Sequence, residues 1–327
     1  MTQSECYCPF QDKFNNWDYL IILDACRYDF FAHLYHYFLY GTLKRVKSCG
    51  SCTYDFCINC LAHNKDRDII YISANPYINS RKCIGNCYAK FYVSNIIDAW
   101  LTHWDDRLGS VPPDRVTALA IEIIKKYKDR RVVIHYLQPH APYIVPAYKI
   151  VGYADPRSLQ NLIFSTKDME RYSNLLNIEK KILSIVSRLQ KLGLKSAYYV
   201  YLKARKEIGL PPLDPMDDFL RKYGIKELAK AYAKNLLLVL ANVALLVKEI
   251  KILKPHARIV ITADHGECLG ERGILEHPSI NLPCTREIPV FIPEKVNVRL
   301  ALKYSLSWKV RMLQKLRQKE YCRKLEK

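Results

Sequence analysis

Four short apolar runs limit what this chain can fold into. Tyr19–Leu23 (YLIIL), Asp68–Ile72 (DIIYI), Arg131–Tyr136 (RVVIHY) and Arg258–Thr262 (RIVIT) are rich in Val, Ile and Leu, and each gives way to polar residues. A strand with one wet face alternates apolar and polar residues. Continuous runs mark strands covered on both faces, as in a parallel sheet between helices. Ile288–Ile292 (IPVFI) reads as a fifth strand, and Val116–Tyr127 and Ile225–Ile252 are the clearest helix-period segments between them. Strands alternating with helices predict an α/β fold: a mostly parallel central sheet flanked by helices on both faces.

The 327 residues, half of them apolar, suffice for one large core. Residues 1–300 are expected to form a single domain. It includes a helical insertion at about 153–223, where no strand pattern occurs, Ile178–Leu192 has helical spacing and Leu210–Pro215 is a proline-rich turn. Residues 301–327 read as a basic C-terminal helix or tail. Lys303–Lys327 carry nine Lys/Arg and two Glu, with Leu306, Val310, Leu313 and Leu316 at helical spacing. Such a segment could make a peripheral contact with an anionic membrane, or pack on the domain with a solvated outer face. Asn235–Val247 is the most apolar stretch but falls short of the roughly 20 residues a span needs, so a buried helix and no transmembrane segment are expected. The net charge of +19 favours anionic partners.

The first residues lack a basic start followed by an apolar run. The expected location is therefore cytoplasmic, with the membrane surface as an option. Twelve cysteines are present, eight of them in the close pairs Cys6/Cys8, Cys49/Cys52, Cys57/Cys60 and Cys83/Cys87. Cys49-x-x-Cys52 and Cys57-x-x-Cys60 each have the spacing of a metal knuckle, but the interval between them is short for a zinc ribbon. Buried thiols or disulfides are the other readings.

In open α/β sheets, sites form at the carboxyl ends of strands. YLIIL is followed by Asp24, then Arg27 and Asp29. The RVVIHY run leads into Gln138-Pro-His140-Ala-Pro-Tyr143, and RIVIT into Ala-Asp264-His265-Gly-Glu267. Each alone has an ordinary explanation as a cap, a rigid loop or a turn; three together favour a site. Asp24, Asp264 and His265 supply oxygen and imidazole ligands that Mn, Zn, Mg and Ca all accept. The small-residue loop before Thr53 leads into a helix start, where Thr53 is either a metal-held nucleophile or an ordinary N-cap. Arg27 could clamp a phosphate or pair with Asp29. Asn75 and Asn79, after DIIYI, could line the pocket or simply form a turn.

Taken together, Asp24 after the first strand, a hydroxyl in a Gly/Ser loop, Pro139-His140-Ala-Pro-Tyr143 and Thr262-Ala-Asp264-His265-Gly-Glu267 resemble the alkaline phosphatase superfamily. The similar branch is the sulfatase-like and phosphoethanolamine-transferase or lipoteichoic-acid-synthase-like one. The motif order spans residues 19 to 293, with Gly270-Glu271, His277-Pro278 and Arg286-x-x-Pro289 also in place. The resemblance implies a metal-dependent hydrolase or phosphotransferase acting on phosphate monoesters or diesters, whose ester could belong to a glycan or lipid head group. It implies one divalent metal ion held by Asp24, Thr53, Asp264 and His265, and a covalent phosphothreonine at Thr53. His140 and His277 would contact the substrate or protonate its leaving group. Arg27 and Asn75 complete the candidate substrate-binding set.

Two departures shape the expectation. No Cys/Ser-x-Pro-x-Arg surrounds Cys49–Thr53, so formylglycine chemistry is not expected and a sulfatase acting on sulfate esters is the alternative. No Asp-x-x-x-His lies between Thr53 and Asp264, so a single ion is expected. A different class, a nucleic-acid-binding protein using the basic surface and the cysteine cluster, would leave the strand-end residues unexplained.

Overall fold

The computed structural model describes residues 6–148, 152–153 and 181–325, apart from 82, 84–86, 187, 191, 195, 209, 211 and 279, with side chains described as far as residue 315. Its strands are β1 (Tyr19–Leu23), β2 (Leu39–Lys47), β3 (Ile70–Ser73), β4 (Asn95–Asp98), β5 (Val132–Tyr136), β6 (Ile259–Thr262), β7 (Cys268–Leu269), β8 (Leu275–Glu276) and β9 (Glu287–Val296). Seven of them form one sheet in the order β2-β9-β6-β1-β5-β3-β4, and β7 and β8 pair separately. β1 is parallel to both β5 and β6, and β3 is parallel to β5 and β4. Only β9, paired with β6 and β2, is antiparallel to its neighbours. The expected α/β architecture is what the chain adopts.

The apolar runs explain the layering. Along β1, Tyr19, Ile21 and Leu23 enter one core and Leu20 and Ile22 the other. Side chains alternate across a strand, so a strand apolar at every position must be covered twice. Helices α1 (Tyr28–Leu34), α2 (Thr53–Asn59), α3 (Ala99–Thr102) and α4 (Pro113–Lys126) follow β1, β2, β4 and precede β5. Further helices among the described residues include α5 (Ala197–Glu207), α6 (Pro215–Tyr223), α7 (Ile225–Leu253), α8 (Pro283–Arg286) and α9 (Val298–Leu325). Val116, Ala120 and Ile124 of α4 and Val239, Val243 and Ile250 of α7 cover the first core. Phe56 and Cys57 of α2 join the second. Each fully buried aliphatic side chain contributes about 1.5–3 kcal/mol.

Part of the expected insertion, residues 154–180, lies outside the described residues, as do parts of Ile178–Leu192. Within 181–223 the described elements are helical, and Leu202, Met216 and Phe219 pack with Tyr143 and Tyr232 in a third core. Four disulfides replace the metal-knuckle reading: Cys6–Cys49, Cys8–Cys60, Cys57–Cys87 and Cys268–Cys284. Three of them gather around α2, where the N-terminal segment and the loop after β3 are stapled to it or its flanks. Among the described residues, no helix is long and apolar enough to cross a membrane.

Candidate active site

The strand ends converge as the topology requires. β1 lies between β5 and β6, so the residues that follow all three are neighbours. Asp24 N–H donates to the Tyr136 carbonyl at 3.1 Å, and His140 N–H donates to the Asp24 carbonyl at 3.2 Å. Asp264 Oδ1 accepts from the Ala25 and His265 N–H groups at 3.2 and 2.9 Å. Ala25 itself sits at φ 59°, a left-handed conformation uncommon for a residue with a Cβ. Tyr232 of α7 braces that turn: its hydroxyl donates to the Ala25 carbonyl at 2.6 Å and accepts from Arg27 N–H at 2.9 Å. The glycine of Asp-His-Gly has a steric cause. A Cβ on Gly266 would lie 2.2 Å from the Cys284 carbonyl oxygen.

Thr53 is the first residue of α2 and reaches this cluster from the side. Its Oγ1 donates to Asp264 Oδ2 at 2.8 Å and lies 3.3 Å from His265 Nε2. Ser48 sets the loop's position by donating its hydroxyl to the Asp264 carbonyl while accepting from Gly50 N–H at 3.1 Å. His265 Nε2 lies 3.4 Å from Asp24 Oδ1 and 3.5 Å from Asp264 Oδ2. Asp24, Thr53, Asp264 and His265 are all buried, and Asp24 Oδ1 has no hydrogen-bond partner.

This set fits a divalent cation. Four ligands held at about 2.0 Å in a tetrahedron stand roughly 3.3 Å apart. The spacings here bracket that value, and the donors are three oxygens and one imidazole nitrogen. Electrostatics agree. Burial works against charge on His265, yet the neighbouring Asp264 and Asp24 carboxylates push its pKa up to about 10. Burial likewise opposes the Asp24 carboxylate, but His140 and His265 hold it below the usual carboxylate range. The cluster stabilises positive charge at its centre.

Asn75 joins the cluster directly: Nδ2 donates to Asp24 Oδ2 at 2.7 Å and to Thr53 Oγ1 at 3.1 Å. Asn79 instead donates to the Pro76 carbonyl at 3.1 Å, within its own turn. Arg27 is committed elsewhere. It forms a fork with Asp29 (2.9 and 2.6 Å), a contact with Glu271, and a bond to the Glu267 carbonyl at 3.2 Å. It is not among the residues lining the cleft.

That cleft, about 490 Å³, runs from Asp24 and Thr53 past His140 and His277 toward Tyr153, Asp214 and Glu276. The His140 and His277 rings stand 5.1 Å apart, and His277 Nδ1 lies 3.1 Å from Glu267 Oε1. With Glu267 they form a second group of potential metal ligands. Burial pushes the Glu267 carboxyl up to about 7 and, with the His265 charge, lowers His277 to about 4, so each is shifted toward its neutral form.

Three positions escaped the sequence reading. His135 in β5 is fully buried, 3.7 Å from Asp264 Oδ2 through Nε2, with Nδ1 2.9 Å from the Tyr71 hydroxyl. Burial lowers its pKa. A lone histidine in a run of Val and Ile was the available signal. Asn235 of α7 donates to the carbonyls of Pro139, His140 and Pro142 at 3.1–3.3 Å and accepts from Ile144 N–H at 3.3 Å, fixing the His140 loop. Glu276 carries a positive φ of 61° that aims it into the cleft, which no sequence pattern marks.

No protein-family model matches the sequence, and no curated protein matches it. Solved structures do. The C-terminal periplasmic domain of phosphoethanolamine transferase EptC from Campylobacter jejuni is 15% identical, with 86% of this chain and 79% of that chain covered at a TM-score of 0.45. The soluble domain of lipooligosaccharide phosphoethanolamine transferase A from Neisseria meningitidis is 13% identical, covering 86% and 76% at 0.44. Phosphonate monoester hydrolase of Agrobacterium radiobacter is 13% identical, covering 84% and 67% at 0.44. The cytoplasmic expectation is corrected here. Four disulfides, Cys6–Cys49, Cys8–Cys60, Cys57–Cys87 and Cys268–Cys284, are of a kind that a reducing cytosol disfavours. In fold, this chain is similar to these members of the alkaline phosphatase superfamily, the superfamily its motifs resemble.

Proposed function

We propose that this chain is a metal-dependent phosphoester hydrolase or phosphotransferase with Thr53 as its nucleophile. The observation that carries the reading is the convergence of Asp24, Thr53, Asp264 and His265, buried and within hydrogen-bonding distance, at the floor of a cleft lined further on by two histidines. These four residues would hold one divalent ion, which when bound lowers the pKa of a coordinated hydroxyl and offsets phosphoryl charge. Asn75 keeps Thr53 Oγ1 aligned with Asp24. Thr53 Oγ1 attacks phosphorus, giving up its proton along the existing hydrogen bond to Asp264, and the phosphorus–oxygen bond to the leaving group breaks. His140 donates the proton that the departing oxygen takes up. Water or an acceptor alcohol then attacks the phosphothreonine in the reverse sense, regenerating the Thr53 hydroxyl. Glu267 holds the His277 ring toward the same space, which suits His277 to contact the substrate.

The far half of the cleft narrows the substrate. Asp214 and Glu276 face it, with Trp104, Tyr153 and Met216 as apolar walls. Two carboxyl groups beside apolar walls suit a hydroxylated or amino-bearing head group on a phosphoester. The sulfate-ester alternative lacks its nucleophile, because Thr53 cannot be matured to formylglycine.

Thr53→Ala and Asp264→Asn should each lower turnover of an aryl phosphomonoester or phosphodiester by about a thousandfold or more, with circular dichroism spectra unchanged. Full activity in both variants would refute the reading. Mass spectrometry of acid-quenched enzyme should place a phosphate on Thr53.

A further inference from the structure

Among its described side chains, residues 298–315, helix α9 has two apolar faces, and only one is covered. Ala301, Trp308 and Met312 are buried. Trp308 Nε1–H donates to the Ile144 carbonyl at 2.6 Å, Ser305 Oγ reaches Asn242 Oδ1 at 3.4 Å, and Lys315 Nζ donates to the Tyr148 carbonyl at 2.6 Å. On the other side Leu302, Leu306, Val310 and Leu313 are 43%, 59%, 53% and 41% exposed. At 3.6 residues per turn these four fall in a strip roughly 80° wide, on the side away from Trp308. A helix that only packs on its own domain presents a polar outer face; this one presents leucines. The strip is edged by cations. Lys303 lies on one flank and Lys309 on the other, both exposed, with Lys309 also 3.2 Å from Asp114. Residues 298–315 carry five Lys/Arg and no carboxylate.

We propose that the outer face of α9 docks on an anionic lipid surface. The four apolar side chains enter the head-group boundary and the flanking cations meet lipid phosphates. Charge complementarity selects this occupant. A second copy of the chain would bring the same cationic face against itself. A nucleic acid would satisfy the cations and leave the leucine strip facing water and phosphate. An anionic bilayer satisfies both, since lysine stems can lie along apolar surface with their ammonium groups at the phosphates. Trp308 and Lys315 tie α9 to residues 144–148, the continuation of the His140 loop, so the docked helix is one segment away from the cleft.

The test sediments the full chain with vesicles of phosphatidylcholine containing roughly one third phosphatidylglycerol, and with pure phosphatidylcholine vesicles. Binding is expected to the anionic vesicles only. The pair Leu306→Ser and Val310→Ser should weaken it by about tenfold. The pair Lys303→Gln and Lys309→Gln should weaken it by about tenfold or more. Neither pair should alter the melting temperature appreciably or the turnover of a soluble ester. A wild-type chain that stays in the supernatant overturns the proposal. So does a Leu306→Ser/Val310→Ser variant that binds like wild type, since charge alone then holds the chain. Two further results would also overturn it: a wild-type dimer in ultracentrifugation that this variant dissociates, or duplex DNA that competes the chain off the vesicles while binding the apolar variant equally well.

Discussion

Asn235 shows what one polar side chain can do inside an otherwise apolar helix. It sits fully buried in α7 among leucines and valines, where an unpaired amide would cost about 1–3 kcal/mol. Its hydrogen bonds to the loop 139–144 offset that cost and fix where His140 stands. Asn235→Leu keeps the volume and deletes the bonds. We expect a loss of roughly 1–3 kcal/mol in urea unfolding and a fall in kcat of about tenfold to a hundredfold, with KM changed less. Glu276 is the opposite case, a half-buried group that the fold disfavours in its charged form. Burial, the Asp214 charge and a hydrogen bond shared with Asp214 raise its pKa well above the ordinary range. Between the unfolded and folded values the native state holds a proton the unfolded chain has released, so stability falls as pH rises through that window. Glu276→Gln should therefore stabilise the protein at about pH 8 and leave it nearly unchanged at about pH 4, read from melting temperatures at both. Stabilisation of equal size at both values would count against a shared proton.

Elements differ in how visibly the sequence declared them. β1, β3, β5 and β6 are buried on both faces, and their unbroken apolar runs could be little else. β2 and β4 escaped notice for a physical reason. They are the two edges of the sheet, and the half-exposed LYGTLKRVK and the four-residue NIID carry too little apolar signal to stand out from loop. The candidate site follows the same logic. Asp24, Asp264 and His265 are legible because polar residues follow directly on buried strands, whereas His135, Glu276 and the Asn235 bracket depend on pairings distant in sequence. The cysteine spacings marked a cluster without revealing its partners, since Cys57 pairs with Cys87 and Cys8 with Cys60. Helix α2 owes its position to those links: it is seven residues long, too short to persist alone, and it carries Thr53. The double variant Cys57→Ser/Cys87→Ser should lose about 2–4 kcal/mol of stability. Its loss of activity should exceed what the unfolded fraction accounts for, because the helix that presents Thr53 is loosened. Activity falling only in step with unfolding, by parallel circular dichroism and kinetic assays, would show that α2 keeps its place without the Cys57–Cys87 link.

Across the whole molecule, charge is distributed against its own sum. The chain carries +19, yet the cleft collects Asp24, Asp214 and Glu276, with Asp264 and Glu267 fully buried beside its histidines. Cationic side chains are paired around its edge, as with Arg27, or stand on outer faces such as that of α9. A basic exterior raises the local concentration of anionic partners, while under the proposed function the acidic interior would take up a cation before an anionic ester enters. Metal binding is therefore expected to stabilise the fold as well as enable turnover. A ligand that binds only the native state adds RT ln(1 + [L]/Kd), about 2.7 kcal/mol at a hundredfold excess over Kd. Adding Zn²⁺ or Mn²⁺ to chelator-treated protein should raise Tm by a few degrees, roughly 2–4 °C per kcal/mol for chains of 150–250 residues and somewhat less at this length. The rise should vanish in Asp264→Asn and persist in His140→Ala, because His140 belongs to the second histidine group and not to the Asp24–Thr53–Asp264–His265 set. A shift abolished by His140→Ala and retained by Asp264→Asn would move the metal to the His140–Glu267–His277 group and reassign the chemistry of the cleft.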